Sequence, residues 1–305
     1  RLLLVVGGVL VATGVTLAVT RRLVLGVAAL AAMVALAGVD SGCDVETRYY
    51  CAAVVADPER ENGRILVLDG LRHSYVDLHD PAHLEFGYTR RIGDVLATQP
   101  GGPLDVLHLG LGAGSVPRHL AAVRPGSRSV VLEVDPRLPE LGRERLALRT
   151  GRDLRVVVGD ARTSIADQPP GGFDVVVGDA FGSLAVPWHL TTAEMAQQVR
   201  RVLRPGGTYV VNVIDHPPLA FAQAFTATLV DAFAHVTVYA APDALAGDAG
   251  GNLVVVASDA PLPRSLATAA SDRGEALREG RAFAAGAPVL TDDDAPVDQL
   301  LTPYP

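Results

Sequence analysis

The stretch that most constrains the fold runs from residue 104 to residue 135, where two apolar runs flank a glycine-rich turn. Residues 104–109 form the first apolar run, which is typical of a buried strand. Ser115 and Pro117 then suit the first turn of a helix, and residues 130–134 form the second apolar run. The stretch therefore predicts a β-α-β unit with a glycine-rich first turn.

The turn of this unit indicates that a nucleoside binds there. Gly110, Gly112 and Gly114 make a GxGxG pattern, and glycine lets the backbone approach a ligand closely. The helix that follows presents free N–H groups, and Glu133 at the end of the second strand can accept hydrogen bonds from ribose hydroxyls. Dinucleotide-binding proteins use GxGxxG, whereas GxGxG here is more usual for a sulfonium nucleoside. A tight turn without a ligand is the alternative interpretation.

Two further acids follow later apolar runs. Asp160 follows residues 154–158, and Asp179 follows residues 173–178. Because ligands of open α/β sheets bind at the carboxyl ends of the strands, we expect both acids to share one crevice with Glu133. Asp160 has two interpretations, a hydrogen bond to the adenine amine or the N-cap of the next helix.

The remaining pattern alternates strands with helices and predicts an α/β protein. Residues 44–78 read as short antiparallel strands ahead of a helix over 81–97, and residues 265–284 read as one alanine-rich helix. We divide the chain into four parts. Residues 1–40 are the apolar, membrane-spanning part, and residues 41–98 are a β unit with its helix. Residues 99–260 are the catalytic domain, and residues 261–305 are a helical linker with an acidic tail.

The N-terminus is apolar enough for a membrane. Residues 2–19 and 23–39 are each near the minimum length of a membrane span, and Arg21 and Arg22 separate them. We expect two spans with a tight turn. The alternatives are one long helix, or a signal peptide that begins at Arg21 with residues 35–37 as the cleavage site.

The predicted orientation of these segments in the membrane does not agree with the compartment in which the expected ligand is found. The positive-inside rule places Arg21 and Arg22 in the cytosol, which would put the rest of the chain outside, where a sulfonium nucleoside is scarce. We expect a protein of the cell membrane with its catalytic domain in the cytoplasm. Cys43 and Cys51 are either a disulfide, if they lie outside, or two buried free thiols.

Composition excludes several classes of protein. The 305-residue chain has a formal net charge of −8, which argues against a nucleic-acid partner. All 26 basic residues are arginine, so Schiff-base lysine chemistry and a Walker lysine are excluded. Two cysteines are too few for a cysteine-based zinc site, and we expect no metal.

Several segments together form a recognisable family pattern: Thr47-Arg48-Tyr49, Leu66-Val67-Leu68-Asp69-Gly70, the GxGxG turn, Glu133-Val134-Asp135, Gly159-Asp160 and residues 173–179. On these segments the chain resembles the spermidine synthase family of aminopropyltransferases. The tail around residues 290–297 resembles bacterial members of that family that are fused to membrane segments. The resemblance implies a Rossmann-like, S-adenosylmethionine-dependent methyltransferase-type fold, with a small β unit and transmembrane helices before it. Homo-oligomers are common in the family.

The resemblance also implies the reaction and the roles of residues. The family moves an aminopropyl group from decarboxylated S-adenosylmethionine to a diamine such as putrescine. By position, Asp179 handles the attacking amine, Glu133 binds the ribose and Asp160 binds the adenine. The three glycines of the turn line the nucleoside.

The amine half of the pattern departs from the family. A second acid usually follows the first by three residues, where this chain has Gly182, and Tyr50 stands where a glutamine is usual. A family triplet that holds the diamine aligns only loosely with residues 83–85. Glu85 and His73 are therefore candidate substrate contacts. A methyltransferase that uses S-adenosylmethionine, or a non-catalytic nucleoside-binding module, are the alternative functions.

Overall fold

Four short strands precede the main sheet in the structure, a computed structural model that describes residues 43–182 and 185–302. They are β1 (Val45–Glu46), β2 (Cys51–Ala56), β3 (Gly63–Leu68) and β4 (Leu71–Asp77), and each pairs with the next in antiparallel fashion. Helix α1 (Gly87–Thr98) follows and begins six residues later than the sequence predicts. The predicted antiparallel β unit is therefore present.

The main sheet has eight strands, of which five are parallel neighbours. In chain order the strands are β5 (Asp105–Leu109), β6 (Arg128–Glu133), β7 (Leu154–Val158), β8 (Phe173–Gly178), β9 (Leu203–Asp215), β10 (His235–Ala240), β11 (Gly251–Ser258) and β12 (Ala276–Glu279). Their spatial order is β12-β10-β11-β9-β8-β5-β6-β7, and β7, β6, β5, β8 and β9 run parallel. Because β5 lies between β6 and β8, the acids that end β6 and β8 flank the glycine turn.

Helices cover both faces of this sheet. Helices that connect and flank the strands are α2 (Ser115–Val123), α3 (Arg137–Arg145), α4 (Ala161–Ser164), α5 (Ala193–Val202), α6 (Ala220–Ala232), α7 (Pro242–Ala246), α8 (Arg264–Asp272), α9 (Gly280–Ala284) and α10 (Val297–Leu300). Successive strand side chains point to opposite faces. Val106 accordingly packs in the core with α1, α2 and α8, whereas Leu107 packs in the core with α5, α6 and α9.

The single helix predicted over residues 265–284 is wrong. The chain forms α8, then the edge strand β12, and then α9. Gly274 ends the first helix with φ of +70°, a left-handed conformation that glycine adopts without a steric penalty. Residues 276–279 then pair with β10, so tertiary pairing overrides the helix propensity of the alanines.

The chain divides into two units, Arg1–Cys43 and Asp44–Pro305. The predicted spans at 2–19 and 23–39 lie outside the described residues, as does the signal-peptide alternative. In residues 43–182 and 185–302, no helix combines the length and the apolar character that crossing a membrane requires. Cys43 and Cys51 are both disulfide-bonded, so the interpretation as free thiols is wrong.

Candidate active site

One cavity opens at the carboxyl ends of β5, β6 and β8. Glu133, Asp160 and Asp179 all line it, so the structure places the three predicted acids in the expected common crevice. Gly110 and Gly112 line the same cavity. These residues are far apart in sequence, but they lie together because the parallel strands place their carboxyl ends at one edge of the sheet.

The glycine turn is shaped by the approach of a neighbouring strand end. Gly110 has φ of +93°, and a Cβ atom there would lie 2.4 Å from the carbonyl oxygen of Asp179. Gly112 has φ of +52°, and its Cβ atom would lie 3.2 Å from Oγ of Ser74. Only glycine fits at Gly110 without moving the backbone that carries Asp179.

Gly114 has a different role from the one that the sequence predicts. It does not line the cavity but precedes α2 as its N-cap, with φ of +75°. A Cβ atom there would lie 2.9 Å from Cδ1 of Leu148. Gly114 therefore turns the chain into the helix and does not face a ligand in the cavity.

Glu133 is buried, and backbone N–H groups hold its carboxylate. Leu111 N donates to Oε2 at 2.8 Å, and Asp135 N donates to Oε1 at 2.8 Å. Burial raises the pKa of Glu133, and these backbone hydrogen bonds oppose the rise. The carboxylate is thus locked in orientation at the cavity wall, and the lone pairs that remain on its oxygens can accept further hydrogen bonds.

Asp160 is the N-cap of α4 and also faces the cavity. Its Oδ1 accepts a hydrogen bond from Arg162 N at 2.7 Å, and its Oδ2 lies 3.1 Å from Nε2 of His189. The capping interpretation from the sequence is therefore correct. His189 lines the cavity as well.

Asp179 directly follows β8, and its carboxylate has two side-chain hydrogen-bond partners. Asn212 donates from Nδ2 to its Oδ1 at 3.0 Å, and the Tyr88 hydroxyl is a second hydrogen-bond donor to it. Burial raises the pKa of Asp179 to about 6, although both hydrogen bonds lower it. The environment therefore places its titration near neutrality, as at many catalytic carboxylates.

Aromatic side chains also line the cavity. Tyr50, which directly precedes β2, donates from its hydroxyl to the carbonyl oxygen of Phe181 at 2.7 Å, in the segment after β8. The centroid of the His73 ring is 6.5 Å from that of the Tyr50 ring and 6.4 Å from that of the Phe181 ring. Burial lowers the pKa of His73, so its imidazole is neutral at pH 7.

His73 lines the cavity, as expected for a substrate contact, but Glu85 does not. Glu85 lies 2.9 Å from His83 Nε2 and 4.0 Å from Arg90 at the start of α1. Glu85 was a candidate only through the loose alignment of residues 83–85, and its role as a substrate contact stays a prediction.

Among the residues the structure describes, no group of His, Cys, Asp and Glu side chains is arranged to hold a metal ion.

Two residues that contact Asp179 were missed from the sequence. Tyr88 is the second residue of α1, where a tyrosine is easily taken for core packing. The sequence could have indicated a role for Asn212, because this residue places a buried amide within the apolar run of β9. A buried amide in a central strand needs a polar partner, and here Asp179 supplies it.

Comparison with known proteins agrees with this geometry. Residues 106–207 match a family model described as a methyltransferase domain. A crystal structure of a probable spermidine synthase from Corynebacterium glutamicum is 32% identical, superimposes with a TM-score of 0.75, and matches over 81% of this chain and 95% of that chain. The chain belongs to the spermidine synthase family.

Curated members of the spermidine synthase family are similar over shorter stretches. The polyamine aminopropyltransferase of Vibrio vulnificus is 30% identical over 131 residues, which is 40% of this chain and 44% of that protein. The polyamine aminopropyltransferase of Aeropyrum pernix is 30% identical over 221 residues, which is 70% of this chain and 66% of that protein. The chain thus spans less than two thirds of each of these curated relatives.

Proposed function

We propose that the protein is an aminopropyltransferase that moves an aminopropyl group from decarboxylated S-adenosylmethionine to a small amine. The observation that carries the proposal is the placement of Asp179. Its carboxylate has a pKa raised to about 6, is held by Tyr88 and Asn212, and shares one cavity with Glu133 and the glycine turn. Family membership supports the same reaction class.

The chain fits a nucleoside at the glycine side of this cavity. Gly110 and Gly112 line this part of the cavity, and because neither has a side chain, they place bare backbone at its wall. Glu133 and Asp160 lie next to it and offer oxygen acceptors for hydroxyl and amine hydrogens. We assign Glu133 to the ribose and Asp160 to the adenine.

The transfer joins the amine nitrogen to the carbon beside the sulfonium, the carbon–sulfur bond breaks, and methylthioadenosine leaves. The amine must first lose a proton, and a free alkylamine has a pKa of ~10.4 by analogy with lysine. An ordinary carboxylate is too weak a base to take that proton. The raised pKa of Asp179 brings the pKa of the carboxyl closer to that of the amine. Asp179 then accepts a hydrogen bond from the amine and stabilises the positive charge that develops on nitrogen.

The charge of the cavity supports the decarboxylated co-substrate. Intact S-adenosylmethionine carries a carboxylate, which needs backbone N–H groups or a cation. Among the described residues that line the cavity, none is arginine, and three are acids. A substrate carboxylate would therefore lie in a cavity of like charge, which disfavours it.

Isothermal titration calorimetry with the whole protein tests this proposal. We expect decarboxylated S-adenosylmethionine and methylthioadenosine to bind at least 10-fold more tightly than intact S-adenosylmethionine. Equal or tighter binding of the intact compound would contradict it.

A methyltransferase is the second candidate, because the family model that matches residues 106–207 is described as a methyltransferase domain. The two candidates predict different products from the same assay. Methylation of an acceptor by intact S-adenosylmethionine would favour this second function.

A further inference from the structure

We infer that Arg91 and Asn252 are positioning residues, which hold in place the two groups that donate hydrogen bonds to the Asp179 carboxylate. Neither Arg91 nor Asn252 is among the described residues that line the cavity. The inference rests on the proposed function and deepens it, because it identifies residues outside the cavity that control the acid of the transfer.

The first link is a pair of side-chain amides on neighbouring strands. Asn252 of β11 lies opposite Ile214 of β9, and Asn212 lies two residues before Ile214. The two asparagine side chains are therefore diagonal neighbours on one face of the sheet. Nδ2 of Asn252 donates to Oδ1 of Asn212 at 3.0 Å, and Nδ2 of Asn212 donates to Oδ1 of Asp179 at 3.0 Å. Because Asn252 occupies the oxygen of the Asn212 amide, the NH₂ group of that amide faces Asp179.

The second link is Arg91, which joins the helix of the other donor to the same asparagine. Arg91 lies three residues after Tyr88 in α1, so the two side chains are neighbours on the helix surface. Its Nη1 donates to the backbone carbonyl oxygen of Asn252 at 2.7 Å. Its Nε and Nη2 donate to the two carboxylate oxygens of Glu275 at 2.9 and 2.7 Å. The planar guanidinium is 8% exposed, so these contacts fix α1 against β11.

Arg91 therefore couples the two donors of Asp179. Tyr88 reaches the carboxylate from α1 and Asn212 reaches it from β9, and both elements are held at Asn252. Burial disfavours the ionised carboxylate, and the two hydrogen bonds favour it. Loss of the Arg91 contact should weaken both hydrogen bonds and so raise the pKa of Asp179.

The other ionisable groups of the cavity do not account for the pKa of Asp179. Those among the described lining residues are Tyr49, Tyr50, His73, Glu133, Asp160 and His189. Burial of Asp179 and its hydrogen bonds with Asn212 and Tyr88 are the causes of its shifted pKa. A change in that pKa thus reports on the two donors.

The same helix offers a matched control. Arg273 also follows α8 and pairs with Asp94 of α1, from Nε at 2.6 Å and from Nη2 at 2.8 Å. Among the described residues, Asp94 is the acceptor of every hydrogen bond that the Arg273 side chain donates. Arg91→Gln and Arg273→Gln each remove a guanidinium that ties α1 to the segment after α8. Only Arg91→Gln also releases Asn252.

NMR titration of the aspartate carboxyl carbons in the whole protein measures the pKa of Asp179 without turnover. The Asp179 resonance is the one that is absent from Asp179→Asn. We expect Arg91→Gln to raise this pKa by at least about 0.5, and Arg273→Gln to change it by less than about 0.2. Equal shifts in the two variants, or no rise in Arg91→Gln, would overturn the inference.

A second variant tests the amide pair on its own, and it serves if Arg91→Gln does not fold. Asn252→Leu keeps a side chain of similar size but removes the donor to Asn212, so the Asn212 amide loses its fixed orientation. The pKa of Asp179 should again rise by at least about 0.5. A value within about 0.2 of that of the parent protein would contradict a role for Asn252.

Activity and binding separate this inference from the proposed function. In Arg91→Gln, the break in log(kcat/KM) against pH should move up with the pKa of Asp179, and methylthioadenosine affinity should stay within about 3-fold. The expected pKa shift in a protein that transfers no aminopropyl group would support the positioning role and contradict the proposed function. Transfer by the parent protein, with no pKa shift in either Arg91→Gln or Asn252→Leu, would overturn the inference alone.

Discussion

Asp179 combines opposing influences on a single carboxylate. Burial raises its pKa, while hydrogen bonds from Asn212 and Tyr88 lower it, and the result is about 6. Asn252 in turn donates to Oδ1 of Asn212 at 3.0 Å, which fixes the orientation of that amide. The position of Asp179 in the sequence predicts its place at a strand end, but its pKa depends on partners from α1 and β9 that no local pattern reveals.

The first prediction concerns pH. Below about pH 6 both the Asp179 carboxyl and the amine must lose a proton, whereas above it only the amine must. The slope of log(kcat/KM) against pH should therefore fall by about one near pH 6. Tyr88→Phe removes a hydrogen bond that favours the carboxylate, so the break should move to higher pH. A break that stays in place or moves to lower pH would show that Tyr88 does not tune Asp179.

The second prediction is that Asp179→Asn abolishes transfer and leaves methylthioadenosine affinity within about 3-fold. The substitution removes the negative charge that stabilises the attacking amine, and it removes no contact on the nucleoside side. Initial rates and calorimetry on the same preparation measure both quantities. Full activity of the variant would remove Asp179 from the reaction.

The same variant should be more stable at high pH. The folded-state pKa of Asp179 is raised above 3.8, so the folded state binds this proton more tightly than the unfolded chain does. Its contribution to stability is therefore lost as pH rises through about 6, and asparagine avoids that loss. We expect Asp179→Asn to gain about 1–3 kcal/mol in free energy of unfolding at pH 8 and little at pH 4. Equal gains at both values would exclude ionisation as the cause.

At the scale of elements, the glycine turn sets how closely β5 and β8 approach. We expect Gly110→Ala to weaken nucleoside binding at least 10-fold and to destabilise the fold, because its Cβ atom would lie 2.4 Å from a backbone oxygen. Gly126→Ala is the matched control, since Gly126 has a similar φ of +89° but its nearest neighbour would lie 3.6 Å away. Calorimetry and chemical unfolding measure both variants. Equal losses would show that φ alone, and not the close approach, matters at Gly110.

Apolar runs between polar turns predicted most elements of the sheet, because buried strands need continuous apolar residues. The strand β12 was not predicted from the sequence, because it forms only by pairing with β10, which lies in a distant part of the chain. The place of the acids at the strand ends could be predicted from the topology of the sheet. The same is not true of four other residues, because they reach the site from separate elements and carry no shared motif: Tyr50, Tyr88, His189 and Asn212.

For the whole molecule, the acidic tail proves to be part of the folded body. Leu290 is 1% exposed, and its N–H donates to Oγ1 of Thr228 at 2.8 Å. Asp292 accepts hydrogen bonds from Arg162 and from Thr192. Because Arg162 follows Asp160, these contacts attach the tail near the rim of the cavity.

A further prediction tests the packing of this tail. Leu290→Ala should lower the free energy of unfolding by about 2–4 kcal/mol, because it leaves a cavity in the core. Val289→Ala, at an adjacent residue that is 39% exposed, should change it by less than about 1 kcal/mol. Urea unfolding measures both. Similar small effects would mean that the tail is not packed in solution.

The location of the protein stays a prediction, as does membership of the membrane-fused subgroup. The sequence favours a membrane protein with a cytoplasmic catalytic domain, whereas disulfides such as that of Cys43 and Cys51 are typical of oxidising compartments. Accessibility of an epitope fused to the C-terminus in intact cells distinguishes the two sides. Labelling of intact cells would contradict the cytoplasmic prediction.

The most direct test of the central claim is the identity of the transferred group. The whole protein is incubated with an amine and either decarboxylated or intact S-adenosylmethionine, and the products are identified by mass spectrometry. We predict an aminopropylated amine and methylthioadenosine with the decarboxylated compound, and neither product with Asp179→Asn. A methylated product from intact S-adenosylmethionine, or no transfer by folded protein that binds methylthioadenosine, would contradict the account.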